Sequence, residues 1–141
     1  AGVLAAPGLV ALADGPAGMI DRLADDHANA RRLAEALADM DGVSSPGGIA
    51  QPSLGRLDPG RVLTNFVLFK VDRDRRSFLD RLAARNVLMG EYAHSQVRAV
   101  THHDISAADI DTVIRAARET LAETRPVAPV DDSAQRIPTT A

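Results

Sequence analysis

Between Ala17 and Asp41 the positions Ile20, Leu23, His27, Ala30, Ala34 and Leu37 recur at alternating spacings of three and four, with Leu33 and Met40 beside them. That spacing predicts one amphipathic helix over residues 17–41, because side chains three and four apart share a helical face. Asp21, Asp25, Arg32, Glu35 and Asp39 fall on its opposite, solvated side. His27 then belongs to the packed seam, as a hydrogen-bonded core or interface histidine with no nucleophile or metal set nearby. Ahead of this helix, residues 1–13 are apolar throughout, and Asp14-Gly15-Pro16 separates the two segments. Glycine ends one helix and proline opens the next at its first turn. Pro7 within the first segment implies a helix that starts near it or bends there.

Residues 42–61 carry three turn signals, Pro46-Gly47-Gly48, Pro52-Ser53 and Asp58-Pro59-Gly60, with few apolar residues between them, and so predict a long surface loop. Beyond it the pattern alternates between periods. Val62 to Val71 is a β-branched and aromatic run that suits a strand. Ser77 to Arg85 puts Phe78, Leu79 and Leu82 on one helical stripe, and Val87-Leu88-Met89 is a short apolar strand ending at Gly90. Residues 91–96 form a loop that holds Tyr92 and His94. Val97 to Thr101 is the last strand, and Ser106 with Asp109 caps a helix bearing Ile110, Val113, Ile114, Ala117 and Leu121. Periodicity then stops, and residues 124–141, with Pro126, Pro129 and Pro138, make a polar tail expected to be disordered. The fold class this predicts is α+β, a short sheet covered by helices: residues 17–123 form one small domain led in by a helix at residues 1–16.

With 45% hydrophobic residues but only three Phe, one Tyr and no Trp, the core must be largely aliphatic. A net charge of −3, with the arginines scattered among acids, supplies no basic face, which argues against a nucleic-acid partner. The apolar start meets Asp14 well short of the ~20 residues needed to cross a bilayer, so no membrane partner is expected. The lack of cysteine excludes disulfides and cysteine-based zinc sites. It fits a reducing compartment, and a cytoplasmic location is expected.

The chemistry concentrates in Val97-Arg98-Ala99-Val100-Thr101-His102-His103-Asp104-Ile105-Ser106. Alternation along a strand puts Arg98 and Val100 on one face and Val97, Ala99 and Thr101 on the other. A guanidinium on an apolar ribbon needs an anion, and its fixed fork suits a carboxylate gripped through two hydrogen bonds. That carboxylate belongs either to the protein, with Glu91 the near choice, or to a ligand. His102 and His103 diverge on a strand and do not favour a shared metal ion. Local hydrogen bonding by His102 and Asp104 would instead fix the strand-to-helix corner as site support.

This stretch resembles the closing strand of L-threonine aldolases, pyridoxal-phosphate enzymes of the aspartate-aminotransferase fold (fold type I). In that family an arginine just before Thr-His-x-Asp holds the substrate carboxylate, a role the resemblance gives to Arg98. Other segments are similar in the same order. Ala1-Gly2-Val3-Leu4-Ala5-Ala6-Pro7-Gly8-Leu9 resembles the helix after the family's glycine-rich stretch. Arg22-Leu23-Ala24-Asp25-Asp26-His27-Ala28-Asn29-Ala30 resembles the start of its next helix. Thr64-Asn65-Phe66-Val67-Leu68-Phe69 and Arg85-Asn86-Val87-Leu88-Met89 are similar to two strands of its small C-terminal domain.

The resemblance implies retro-aldol cleavage of a β-hydroxy-α-amino acid to glycine and an aldehyde, with pyridoxal 5'-phosphate as cofactor and a homo-oligomeric protein. It also implies a cofactor lysine in a Ser-Lys-Gly context, whereas the one lysine here, Lys70, ends an apolar strand. On that reading the chain is the C-terminal part of such a lyase. The catalytic lysine, the base and the cofactor contacts lie in an N-terminal part that precedes it, and the chain alone is expected to be inactive. Two alternatives stay open: a non-catalytic α+β module binding an amino acid or a protein, and the small domain of another fold-type-I enzyme.

Overall fold

The computed structural model describes residues 2–13, 15–47 and 55–124. Four helices and four strands follow one another as α1 (Gly2–Leu12), α2 (Leu23–Ala38), β1 (Val43–Ser44), β2 (Phe66–Val71), α3 (Arg75–Ala83), β3 (Gly90–Tyr92), β4 (Gln96–Val100) and α4 (Ala107–Glu123). The strands form one antiparallel sheet in the order β1-β2-β4-β3. This is a small α+β domain, as the alternating periods predicted. Among the described residues no helix is long and apolar enough to cross a membrane.

Alternation along the strands divides the sheet into two unlike faces. Val67 and Phe69 of β2 and Val97 and Ala99 of β4 are buried, and they meet Leu33 and Leu37 of α2, Phe78 and Leu82 of α3, and Ile110, Ala117 and Leu121 of α4 in one cluster. Phe69 and Phe78 meet edge to face with ring centroids 6.4 Å apart, the arrangement that ring quadrupoles favour. The other face carries Phe66, Leu68 and Lys70 of β2 and Gln96, Arg98 and Val100 of β4, and no helix among the described residues covers it. Phe66 and Val100 remain 46% and 38% exposed.

Three helix ends, two of α3 and one of α4, fall on sequence signals. Asp74 caps α3 by accepting the Ser77 N–H at 2.7 Å. Ser106 and Asp109 form the anticipated capping box on α4. After α3 the chain turns back through Asn86, whose φ of 60° is a conformation asparagine tolerates well.

Several expectations need correction. The helix expected over residues 17–41 is interrupted: Pro16–Ile20 makes a separate π-type turn with Gly18 at non-helical dihedrals, and α2 starts only at Leu23. Its buried stripe runs through Asp26, Asn29, Ala30, Leu33, Ala34 and Leu37, so His27 is exposed and does not belong to the packed seam. The stretch over residues 42–61 holds β1, paired with β2, and a 3-10 turn at Pro59–Arg61 capped by Asp58. Its signals at Gly48 and at Pro52-Ser53 lie outside the described residues.

The strand begun at Val62 starts at Phe66. Val87-Leu88-Met89 is unpaired: the Val87 N–H turns back to the Leu82 carbonyl at 3.0 Å, and pairing begins at Gly90. Glu91 to Gln96 is a tight hairpin, with only Ala93 to Ser95 outside the strands. Thr124, assigned to the tail, caps α4 with its N–H and hydroxyl on the Thr120 carbonyl; residues 125–141 lie outside the described residues.

Candidate functional site

Arg98 sits in the middle of β4, opposite Leu68 of β2 and Gly90 of β3. The open face therefore presents its guanidinium from the centre of three strands. Gly90 supplies no side chain across from it, and a β-carbon there would meet Nη2 of Arg98 at 3.9 Å and Nε at 4.0 Å. The guanidinium lies close over that glycine. Its carbon is 5.9 Å from the centre of the Phe66 ring and 5.6 Å from that of Tyr92, both within cation–π range.

No acid among the described residues pairs with Arg98. Glu91, the near choice from sequence, accepts instead from Arg75 at 3.3 Å. The reason lies in the pleat: Glu91 is opposite Val97, whose side chain enters the core, so it stands on the helix-bearing side of the sheet beside α3. Nε of Arg98 is buried and makes no hydrogen bond among the described residues. The site is thus a half-buried cation held by two rings, with its donors uncommitted.

The corner after β4 is anchored by hydrogen bonds from α2, from Arg22 just ahead of it and from Asn65 just ahead of β2. The buried Thr101 hydroxyl donates to the Asp26 carbonyl at 2.7 Å. The Asn65 amide donates to the Thr101 carbonyl at 2.7 Å, and the Asn29 amide to the Ile105 carbonyl at 2.9 Å. Arg22 bonds the buried Asp26 carboxylate at 3.0 Å and reaches the His103 carbonyl at 3.5 Å. Asp26 Oδ1 and Arg22 Nε keep no partner among the described residues. These residues fix where β4 ends, and with it where Arg98 stands.

His102 and Asp104 make the local contact expected of them, with the Asp104 N–H donating to His102 Nδ1 at 3.4 Å. Both are exposed. Asp104 lines a cavity of about 240 Å³ beside α4, and Arg98 is not among its walls. His103 is also exposed, and no cluster of His, Cys, Asp or Glu suited to a metal ion occurs among the described residues. A second cavity, of about 290 Å³, opens beside β2 and shares Phe66 and Leu68 with the surroundings of Arg98. The Ser106 hydroxyl and N–H both donate to Asp109 and hold its carboxyl below the ordinary value.

The sequence singled out Arg98 and placed Tyr92 in the loop ahead of its strand, as pocket wall or surface loop, but gave no sign of Phe66 beside it. Phe66 and Tyr92 are diagonal to it across two different strand pairs, a relation that only the register reveals. No protein-family model matches the chain, and no curated protein sequence matches it either.

Proposed function

We propose that this chain is the C-terminal, small-domain part of a pyridoxal-phosphate-dependent lyase of the threonine-aldolase kind, and that Arg98 binds the carboxylate of its β-hydroxy-α-amino acid substrate. The observation that carries this reading is a half-buried guanidinium, set between two aromatic rings on the helix-free sheet face, without an internal acid among the described residues. A structural arginine in that position has its carboxylate within the protein. An arginine that awaits a ligand keeps its fork free, and two parallel hydrogen bonds then fix the direction of the ligand's Cα substituents.

The residues of this chain do not by themselves suit the cofactor. Lys70 stands in β2 opposite Ser44, and no hydrogen-bonding side chain engages it among the described residues. The cofactor contacts and the base are therefore assigned to residues outside this chain, in the fold-type-I arrangement. The contribution of this chain is binding and orientation: Arg98 holds the carboxylate and the Thr101–Ile105 corner holds the strand. The partner is a small amino acid, and a homo-oligomer in the cytoplasm is the assembly that goes with this reading.

The test is to assay the protein containing this chain, together with everything encoded in frame before it, for conversion of threonine to glycine and acetaldehyde in the presence of pyridoxal phosphate. Stoichiometric production of both supports the reading. If the chain alone forms a borohydride-reducible adduct at Lys70 and cleaves threonine, the division of labour proposed here is wrong. The second reading, a module that binds an amino acid without chemistry, draws on the same free guanidinium and predicts binding with no product.

A further inference from the structure

The carboxylate-binding role leaves open how an arginine in mid-sheet stays in place with no acid among the described residues to hold it. Long cationic side chains lose much rotational freedom when fixed, and an unpaired guanidinium on an open face has every reason to swing into water. Here three features oppose that. Arg98 faces Gly90 on one side, where only backbone meets it, and Leu68 on the other. Phe66, opposite Val100, and Tyr92, opposite Gln96, are each displaced by two positions from Arg98 on its two neighbouring strands. Diagonal pairs of this kind are within reach of aromatic and long side chains. The rings therefore approach the guanidinium from both flanking strands, at 5.9 and 5.6 Å from its carbon.

We infer that Phe66 and Tyr92 are positioning residues for Arg98, holding its guanidinium over Gly90 through their ring faces so that its N–H fork is pre-set for an incoming carboxylate. A ring attracts the charge without accepting the in-plane N–H bonds that a carboxylate would occupy. An internal Asp or Glu would hold the arginine equally well but would consume the fork. The aromatic pair thus resolves a conflict between fixing the cation and keeping it available. The burial of Nε, which rules out solvation as its support, agrees with a guanidinium placed by packing. This inference rests on the proposed role of Arg98 for its functional meaning, and its geometric content is separate.

The experiment has two arms. In the chain alone, the Arg98 Nε–H resonance is followed by NMR in the unmodified protein, in Phe66→Leu with Tyr92→Leu, and in Tyr92→Phe. The unmodified protein and Tyr92→Phe should show a ring-shifted, slowly exchanging Nε–H. The double variant should return it to the position and exchange rate of a free arginine. An unchanged resonance in a folded double variant overturns the inference.

In the longer protein, each leucine variant should raise KM for threonine by about 3- to 30-fold, the range that a partly desolvated cation–π contact corresponds to. KM should rise more than kcat falls, and Tyr92→Phe should restore most of the loss. If Arg98→Ala abolishes turnover while the leucine variants leave KM unchanged, this inference fails and the role of Arg98 stands. If Arg98→Ala leaves turnover intact, the functional reading fails, and the NMR arm still decides whether the rings hold the side chain.

Discussion

Thr101 shows how a single buried hydroxyl ties three elements together, since it ends β4, touches α2 through the Asp26 carbonyl and lies beside Asn65. Replacing Thr101 by Val keeps the shape but removes this bond, while the Asp26 carbonyl keeps its partner within α2. The cost should be about 0.5–1.5 kcal/mol, measured as the shift of the urea unfolding curve. A shift below about 0.5 kcal/mol would mean that water replaces the bond. Gly42 is constrained differently. Its φ of 89° lies in the region that favours glycine, and an added β-carbon would collide with the Asp72 carboxylate. Gly42→Ala should therefore destabilise the chain by roughly 1–3 kcal/mol, and an unfolding curve that does not move would contradict the strained turn. At this scale the sequence was legible where chemistry is local. Alternation alone placed Arg98 apart from Val97, Ala99 and Thr101. The buried roles of Asp26 and Asn29 were hidden because both are polar letters at positions where an apolar stripe was sought. Their helical spacing with Leu33 and Leu37 was the available signal.

At the level of elements, local signals succeeded where the chain's own neighbours decide the structure. The capping box of α4 is such a case, since Ser106 and Asp109 are three residues apart and satisfy each other's backbone donors. Ser106→Ala should cost about 1 kcal/mol of stability by thermal unfolding. The Asp109 carboxyl is held below its ordinary value by Ser106. Because its folded value is the lower one, its contribution is present above the ordinary aspartate pKa and is lost as pH falls through the folded value. The acid limb of the stability profile should be less steep in Asp109→Asn than in the unmodified chain; an identical limb would show that the box does not titrate with folding.

Signals failed where a partner decides. Val87-Leu88-Met89 has the composition of a strand, but Val87 fills the end of the core and bonds back to α3, so pairing waits until Gly90. Apolar periodicity likewise ran through Gly18, because spacing does not register a change of backbone direction.

For the whole molecule, the α+β class followed from the alternation of periods, whereas the order β1-β2-β4-β3 depends on contacts far apart in sequence. Helix α1 packs chiefly on the turn that follows it, with Val3 87% and Leu9 71% exposed. Removing residues 1–13 should leave the unfolding free energy of the chain within about 0.5 kcal/mol of the original, and a larger loss in the urea curve would show that α1 supports the core. The division into a helix-covered core face and an open face bearing Arg98 is the feature on which the functional account depends. Its most direct test is steady-state kinetics of Arg98→Ala and Arg98→Lys in the longer protein, with thermal unfolding measured alongside. The account predicts that Arg98→Ala lowers kcat/KM for threonine by at least ~100-fold, the size expected when one partner of a desolvated charge pair is lost. Arg98→Lys should recover only a small part, since an ammonium keeps the charge without the fork. The unfolding midpoint should move by no more than about 5 °C. Turnover near the unmodified level, together with a sharp fall in that midpoint, would make Arg98 a structural residue and contradict the account.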